Sequence, residues 1–168
     1  TLFTTLFRFI ETSADRRVTV IGTYSVADGP RLYVRGGNLG AFVDAPLGTG
    51  LVTFNGASFD VPVLRQAFPR WRAPAFHLDL RPMLQQLGEK GGLKAIERRN
   101  GLARPGHLDG VDGLDAIRLW DTWRRDGDTA SLARLCEYNL YDVVQLRSLA
   151  QLGTRRLAAR TGWPVNDG

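Results

Sequence analysis

The sequence has 168 residues, of which 43% are hydrophobic and 23% are charged. This balance fits one globular domain with a core of its own, and it excludes a largely disordered chain. No apolar run approaches the roughly 20 residues that a membrane-spanning helix needs, and no segment resembles a secretory leader. The single cysteine excludes an internal disulfide, so we expect a cytoplasmic protein without a membrane partner.

Arginine accounts for most of the positive charge. The formal net charge is +5, from 22 basic and 17 acidic residues, and Lys90 and Lys94 are the only lysines. A basic surface suits a polyanion partner, because Lys and Arg side chains release the counterions of the phosphates they contact. A genomic bias toward arginine gives the same composition, so charge alone does not identify nucleic acid as the partner.

The first half of the sequence predicts β-structure. Apolar and β-branched residues favour three strands joined as a meander, followed by a loop or short helix over 36–45. A short apolar run then favours a fourth strand that is buried on both faces, and a fifth strand is expected before the helical half. The predicted strands are 2–11, 17–26, 31–35, 50–54 and 75–80.

The second half of the sequence predicts helices. After the fourth strand, apolar residues recur at helical spacing, with Ser58 placed to cap the helix and Pro62 in its first turn. We therefore expect one α/β domain over 1–168, with a mixed sheet covered by helices and a flexible tail over 161–168. The further helices are predicted over 81–87, 93–99, 112–125 and 129–160, with a Gly- and Pro-broken loop over 101–110.

Three acidic residues lie where predicted elements carry them to the rim of the core. Glu11 closes the first strand, Asp60 opens the helix after the fourth strand, and Asp142 lies in the last long helix. Carboxylates brought together in this way repel one another unless a cation neutralises them. Because Mg²⁺ and Mn²⁺ prefer oxygen ligands and can activate water beside a phosphodiester, we predict a divalent metal site here.

Tyr138 stands four residues before Asp142 in the last helix. This spacing places both side chains on one helix face, one turn apart. Asp142 could then hold metal while the Tyr138 phenol orients the attacking water. The alternative is that Tyr138 belongs to the core and Asp142 is a solvated helix residue.

The segment Asn55-Gly56-Ala57-Ser58-Phe59-Asp60 is the most informative short motif. Gly56 allows tight backbone geometry after the strand, and the following helix start offers free N–H groups beside a phosphate or a carboxylate. A plain strand–turn–helix connection, in which Asp60 is only a first-turn charge, is the alternative. We include Asn55 as a supporting residue.

Taken together, these motifs resemble the DEDD superfamily of 3′–5′ exonucleases. Ile10-Glu11-Thr12, then LVTFNGASFDVPVL, then YNLYD look like the DnaQ-like branch with Tyr in the third motif, and most closely like the bacterial YprB-like ribonuclease-H-like family. The resemblance spans about residues 6–149. Its supporting segments are His77-Leu78-Asp79-Leu80, Gly92-Leu93-Lys94 with Glu97, Asp112-Gly113 with Ala116, and Asp142-Val143-Val144.

The resemblance implies a ribonuclease-H-like fold with a mixed five-stranded sheet and two metal ions, Mg²⁺ or Mn²⁺. It assigns metal ligation to Glu11, Asp60 and Asp142, water orientation to Tyr138, and a supporting role to Asp79. The implied activity is metal-dependent hydrolysis of single-stranded DNA or RNA from a 3′ end. The implied partners are nucleic acid and a larger repair or helicase-associated protein.

The first motif departs from the family pattern. That pattern is Asp-x-Glu, with both carboxylates on metal, whereas Phe9 stands two residues before Glu11. A phenyl ring cannot bind Mg²⁺, so the site is expected to lose affinity unless Asp15, just past the strand end, replaces the missing ligand. The alternative function is therefore a catalytically impaired nucleic-acid-binding module of the same fold. A protein-interaction domain is a third reading, which the retained acidic residues disfavour.

A set of basic residues is predicted to form a rim that follows the phosphates of a bound strand. We assign nucleic-acid binding to Lys94, Arg98 and Arg104, and the alternative is a set of solvated faces. The full rim is Arg65, Arg70, Arg72, Lys94, Arg98, Arg99 and Arg104.

Overall fold

A mixed five-stranded sheet lies at the centre of the protein. The computed structural model describes residues 5–45, 48–102 and 104–162, except for the side chains of residues 5–9. The strands lie in the spatial order β3-β2-β1-β4-β5. Strand β1 pairs antiparallel with β2 and parallel with β4, and β5 runs parallel to β4. The strands are β1 (Thr5–Thr12), β2 (Val18–Ser25), β3 (Gly29–Val34), β4 (Gly50–Thr53) and β5 (Phe76–Asp79).

Helices cover both faces of this sheet, so the predicted α/β architecture of a mixed sheet flanked by helices is confirmed. Within the described ranges, no helix has the length and apolar character needed to cross a membrane. The α-helices are α1 (Asp60–Ala67), α2 (Leu80–Gln86), α3 (Leu93–Arg99), α4 (Gly113–Asp126) and α5 (Thr129–Thr161), and 3₁₀ turns cover Leu39–Asp44 and Gly106–Leu108.

Alternation along the strands separates two apolar layers. Ile21 and Leu51 pack on the face covered by α1, in a cluster with Leu64. Their neighbours Val20 and Val52 point to the opposite face, where α5 covers the sheet. Successive strand residues face opposite sides of a sheet, so the buried strands carry apolar side chains at almost every position.

Helix α5 approaches the sheet closely at Gly22. A Cβ atom on Gly22 would lie 2.1 Å from Asn139 Oδ1 and 3.4 Å from Val143 Cγ1. Because both neighbours belong to α5, only a glycine lets this helix lie so near β2. The distance between the sheet and the turn of α5 that carries Tyr138 and Asp142 is therefore fixed at Gly22.

Two local predictions need correction. Ser58 does not cap α1: the N-cap residue is Phe59, which makes no side-chain hydrogen bond to the helix start. The tail predicted over 161–168 begins too early, because Thr161 is still helical and Gly162 ends α5 in the left-handed conformation, with φ +69°. The rest of that tail, 163–168, lies outside the described residues.

Candidate functional site

Three carboxylates from distant parts of the chain meet beyond the carboxyl ends of β1 and β4. Glu11, Asp60 and Asp142 are all buried, with exposed fractions of 7%, 4% and 1%. Burial raises the pKa of Glu11 well above its ordinary value, and the negative charges of Asp142 and Asp60 raise it further. The carboxylates are therefore close enough to repel one another, as the sequence analysis anticipated.

Asp79 fixes the loop between β4 and α1 by hydrogen bonds to its backbone. This carboxylate accepts hydrogen bonds from the backbone N–H of Asn55 at 2.7 Å and of Ala57 at 3.0 Å. It also caps α2 by accepting from the Arg81 N–H. Asp79 therefore acts through the backbone, as a support for the loop that delivers Asp60.

The backbone of the same loop is so tightly folded that position 56 requires glycine. Asn55 adopts the left-handed conformation, with φ +62°. A Cβ atom on Gly56 would lie 2.2 Å from Thr53 Oγ1, so no larger residue fits there. Asp60 then reaches back to β1, where its Oδ1 accepts a hydrogen bond from the Ile10 N–H at 3.2 Å.

Arg104 forms a buried ionic triad with two carboxylates. One guanidinium nitrogen, Nη2, lies 2.6 Å from Glu97 Oε2 and 2.5 Å from Asp142 Oδ1, and the Arg104 side chain is only 5% exposed. Burial raises the pKa of Asp142, and the Arg104 charge acts against this rise. The surface position that we expected for Arg104 is therefore wrong: the residue neutralises buried carboxylates.

Lys94 also points toward the cluster. Its Nζ lies 4.8 Å from the centroid of the Tyr138 ring, and burial lowers its pKa although Asp142 favours the charged form. Arg98, one turn further along α3, is exposed. Of the three residues assigned to nucleic acid, Arg98 alone lies on the open surface.

Tyr138 is 3% exposed and lies beside Glu11 and Asp142. Burial raises the pKa of its phenol above the ordinary value, and the charges of Asp142 and Glu11 and a hydrogen bond to Asp142 raise it further. The phenol therefore stays protonated and acts as a hydrogen-bond donor rather than a base. Its position one helical turn from Asp142 agrees with the spacing argument.

An open groove of about 490 Å³ gives access to the cluster. Glu11, Asp60 and Tyr138 line it, whereas Asp142 is not among its lining residues. Asp142 therefore lies behind the exposed part of the site, next to Arg104. The apolar walls of the groove include Phe54, Phe59, Leu93 and Ile117.

The donor chemistry of this cluster fits a hard divalent cation. Glu11 Oε1 is buried and has no hydrogen-bond partner among the described residues, and Mg²⁺ is commonly bound through one or two carboxylates together with substrate phosphates. In the described part of the chain, however, no three acidic, His or Cys side chains are already arranged as a metal site. Glu11 and Asp60 would hold the ion from the groove, and Asp142 would join them only by exchanging its contact with Arg104.

Comparison with known proteins decides the family. Residues 7–153 match the family model described as the RNase_H superfamily. The chain belongs to the RNase H superfamily. No curated protein matches the chain.

Among solved structures, this RNase H superfamily chain is similar to the family B DNA polymerase from the hyperthermophilic archaeon Pyrobaculum calidifontis. The TM-score is 0.66 at 14% sequence identity, and the match covers 95% of this chain and 25% of the polymerase chain. At this identity the likeness shows the shared fold. The chain spans about a quarter of that polymerase.

Sequence reasoning missed part of the site. Asp15 cannot replace the ligand missing at position 9, because it lies exposed in the β1–β2 turn and pairs with Arg17 at 2.9 Å. Glu97 was noted only as part of the family resemblance, with no role assigned to it. In the structure its side chain is fully buried and pairs with Arg104. Its place in an apolar helix face, three residues from Lys94, was the available signal, whereas Arg104 lies in an irregular loop that offered none.

Proposed function

We propose that the protein is a metal-dependent nuclease that removes nucleotides from the 3′ end of single-stranded DNA or RNA. The observation that carries this proposal is the common groove of Glu11, Asp60 and Tyr138, which come from three separate segments of the chain. Membership of the RNase H superfamily supports a nuclease. The 3′ polarity rests on the resemblance of the motifs to the DEDD exonucleases of the YprB-like kind.

The proposed chemistry divides between the ion and the side chains. A bound Mg²⁺ or Mn²⁺ supplies a water of lowered pKa and neutralises charge on the phosphate. Glu11 and Asp60 would hold the ion at the groove, and the neutral Tyr138 phenol would orient the attacking water by hydrogen bonding. Lys94, beside the Tyr138 ring, adds positive charge where the transition state becomes more negative.

The walls of the groove favour an unpaired strand. Phe59 offers aromatic surface and Ile117 offers apolar surface next to the carboxylates, above the buried Phe54 and Leu93. Bases of a single strand can stack on such side chains whatever their sequence, whereas paired bases have no free faces. We further propose a cytoplasmic location and a place within a larger repair or helicase-associated protein.

The test is cleavage of strands labelled at the 5′ or the 3′ end, in Mg²⁺ or Mn²⁺. Wild type should shorten 5′-labelled strands stepwise, and Asp60→Asn and Asp142→Asn should abolish this. The exposed Asp121→Asn serves as a charge-matched control. Activity that survives in both site variants, or that disappears equally in the control, would exclude this site as the nuclease centre.

A nucleic-acid-binding module without catalysis is the second candidate. Two observations favour it: Phe9 occupies the position of an acidic ligand, and Arg104 already neutralises Asp142. Binding of single strands without cleavage by the wild type would establish this candidate. Cleavage gained by Phe9→Asp would then show that the lost carboxylate is the cause.

A further inference from the structure

A second pocket, whose lining shares no residue with the groove, is rich in arginine. It has a volume of about 640 Å³ and lies between the β1–β2 turn and α1. We call it the arginine pocket. Its lining includes Arg16, Arg17, Arg35, Asp15, Pro62 and Gln66.

Positive charge is concentrated here without enough negative charge to balance it. Burial lowers the pKa of Arg35, and the neighbouring charges of Arg17 and Arg124 lower it further. The one carboxylate that lines the pocket, Asp15, pairs with Arg17. Like charges held together in this way favour a bound anion.

The guanidinium groups are held in place by bonds that leave donors free. Arg35 Nε donates to the Val18 carbonyl at 2.7 Å, and Arg17 Nε lies 2.9 Å from Asp15 Oδ2. Among the described residues, the terminal nitrogens of both side chains make no hydrogen bond. An arginine with a fixed Nε and two free terminal nitrogens suits a phosphate, which accepts paired N–H donors.

The arginine pocket lies along the same helix as the groove. Helix α1 starts with Asp60 in the groove and passes the pocket at Pro62, Val63 and Gln66. With a rise of about 1.5 Å per residue, Gln66 is about 9 Å further along the axis than Asp60. A strand that enters the groove therefore needs only a few more nucleotides to reach the pocket.

We propose that Arg16, Arg17 and Arg35 form a phosphate-binding subsite that holds the backbone of a nucleic-acid strand a few nucleotides away from the end that lies in the groove. The subsite recognises the phosphodiester, so DNA and RNA strands bind it alike. This inference rests on the proposed function for the direction of the strand, but the binding itself needs neither metal nor catalysis.

The test is equilibrium binding of fluorescent dT12 and rU12 in EDTA, over a series of salt concentrations. The variant Arg16→Gln/Arg17→Gln should bind both strands at least about tenfold more weakly. Because each phosphate contact on a single strand contributes about 0.7 to the slope of log K against log salt, the slope should fall by about 1.4. Arg35→Lys, which keeps the charge but loses the Nε bond, should weaken binding with a smaller change of slope.

The control is Arg118→Gln/Arg125→Gln on α4. These side chains are 76% and 73% exposed and each pairs with an aspartate, much as Arg17, 70% exposed, pairs with Asp15. Unchanged affinity and slope in Arg16→Gln/Arg17→Gln, or an equal loss in the control, would overturn the subsite. A strand too short to reach the pocket, such as a dinucleotide, should be cleaved equally by wild type and Arg16→Gln/Arg17→Gln.

The two proposals fail in different ways. If the nuclease proposal is wrong, no strand is cleaved, yet the loss of binding in EDTA remains. If the subsite proposal is wrong, Asp60→Asn still abolishes cleavage, while Arg16→Gln/Arg17→Gln and Arg118→Gln/Arg125→Gln bind strands equally well.

Discussion

Arg104 Nη2 lies 2.5 Å from Asp142 Oδ1, in a part of the protein that solvent hardly reaches. The same nitrogen contacts Glu97, so one guanidinium serves two buried carboxylates. A buried ion pair contributes little net stability, but removing one partner leaves an uncompensated buried charge. Arg104 therefore neutralises Asp142, as a bound divalent cation would.

Replacing Arg104 should make the stability of the protein depend on metal. Arg104→Gln should lower the free energy of unfolding by about 3–5 kcal/mol in EDTA, because Glu97 and Asp142 lose their shared partner. Added Mn²⁺ should restore more stability to this variant than it adds to wild type, because Asp142 is free to bind it. Urea denaturation with and without Mn²⁺ measures both effects.

Arg98→Gln is the control, since Arg98 is exposed on the neighbouring helix α3. Its free energy of unfolding should change by no more than about 0.5 kcal/mol. A Mn²⁺ response in Arg104→Gln no larger than in wild type would show that Asp142 does not join a metal site.

An acidic side chain at position 9 should raise metal affinity. Phe9 pairs with Gly22 across β1 and β2 and stands two residues before Glu11, and positions two apart in a strand share one face of the sheet. Phe9→Asp should bind Mn²⁺ at least about tenfold more tightly, or about 1.4 kcal/mol, as titration calorimetry would measure. Phe9→Asn is the matched control, and equal affinities in the two variants would contradict a ligand role for this position.

Removing the Tyr138 hydroxyl should slow cleavage while binding persists. Tyr138→Phe loses the hydrogen bond that orients the water, about 1–3 kcal/mol, which corresponds to an about 5- to 160-fold lower turnover. The affinity for strands in EDTA should not change. Tyr141→Phe, which loses the hydrogen bond that the Tyr141 hydroxyl accepts from Gln145, should keep its turnover.

The pH profile gives a separate check on Tyr138. Because the pKa of this phenol is raised above its ordinary value of 10.0, the phenol stays protonated throughout the neutral and mildly alkaline range. The turnover of wild type relative to Tyr138→Phe should therefore be constant below pH 10. A ratio that rises with increasing pH would indicate a phenolate base instead.

Glu11 should make the metal-free protein less stable as pH rises. The pKa of Glu11 is higher in the folded than in the unfolded state, because burial and then Asp142 and Asp60 disfavour its charge. The folded state therefore binds the proton more tightly. The stabilisation is complete below the unfolded pKa near 4.5 and is lost as pH rises through the folded value.

Glu11→Gln should remove this pH dependence and raise the melting temperature at neutral pH in EDTA by a few degrees. Thermal melts of both proteins across this pH range measure the difference. Glu137→Gln, at an exposed position of α5, is the control. A wild-type melting temperature that increases with pH while that of Glu11→Gln stays flat would contradict the sign of the shift.

The sequence predicted the sheet and the helices because both depend on local pattern. The expectation that Glu11, Asp60 and Asp142 lie together rested on their places at element ends and on the family resemblance. Apolar alternation defines strands, and a residue at the end of a strand is carried to the edge of the sheet. The position of Arg104 depends on tertiary packing, since the irregular loop after α3 folds inward toward Glu97. The arginine pocket was missed for the same reason: its residues come from a turn, a strand end and a helix whose proximity exists only in three dimensions.

The helix α5 contributes Tyr138 and Asp142 and is the last helix of the described chain, whereas Glu11 belongs to the first strand. During synthesis, β1 to α4 leave the ribosome before the second half of the cluster exists. The half-formed protein then exposes Glu11 and Asp60 without the helix that covers them and fits against Gly22. Any activity that needs all the carboxylates therefore cannot arise in the nascent chain before α5 has been translated.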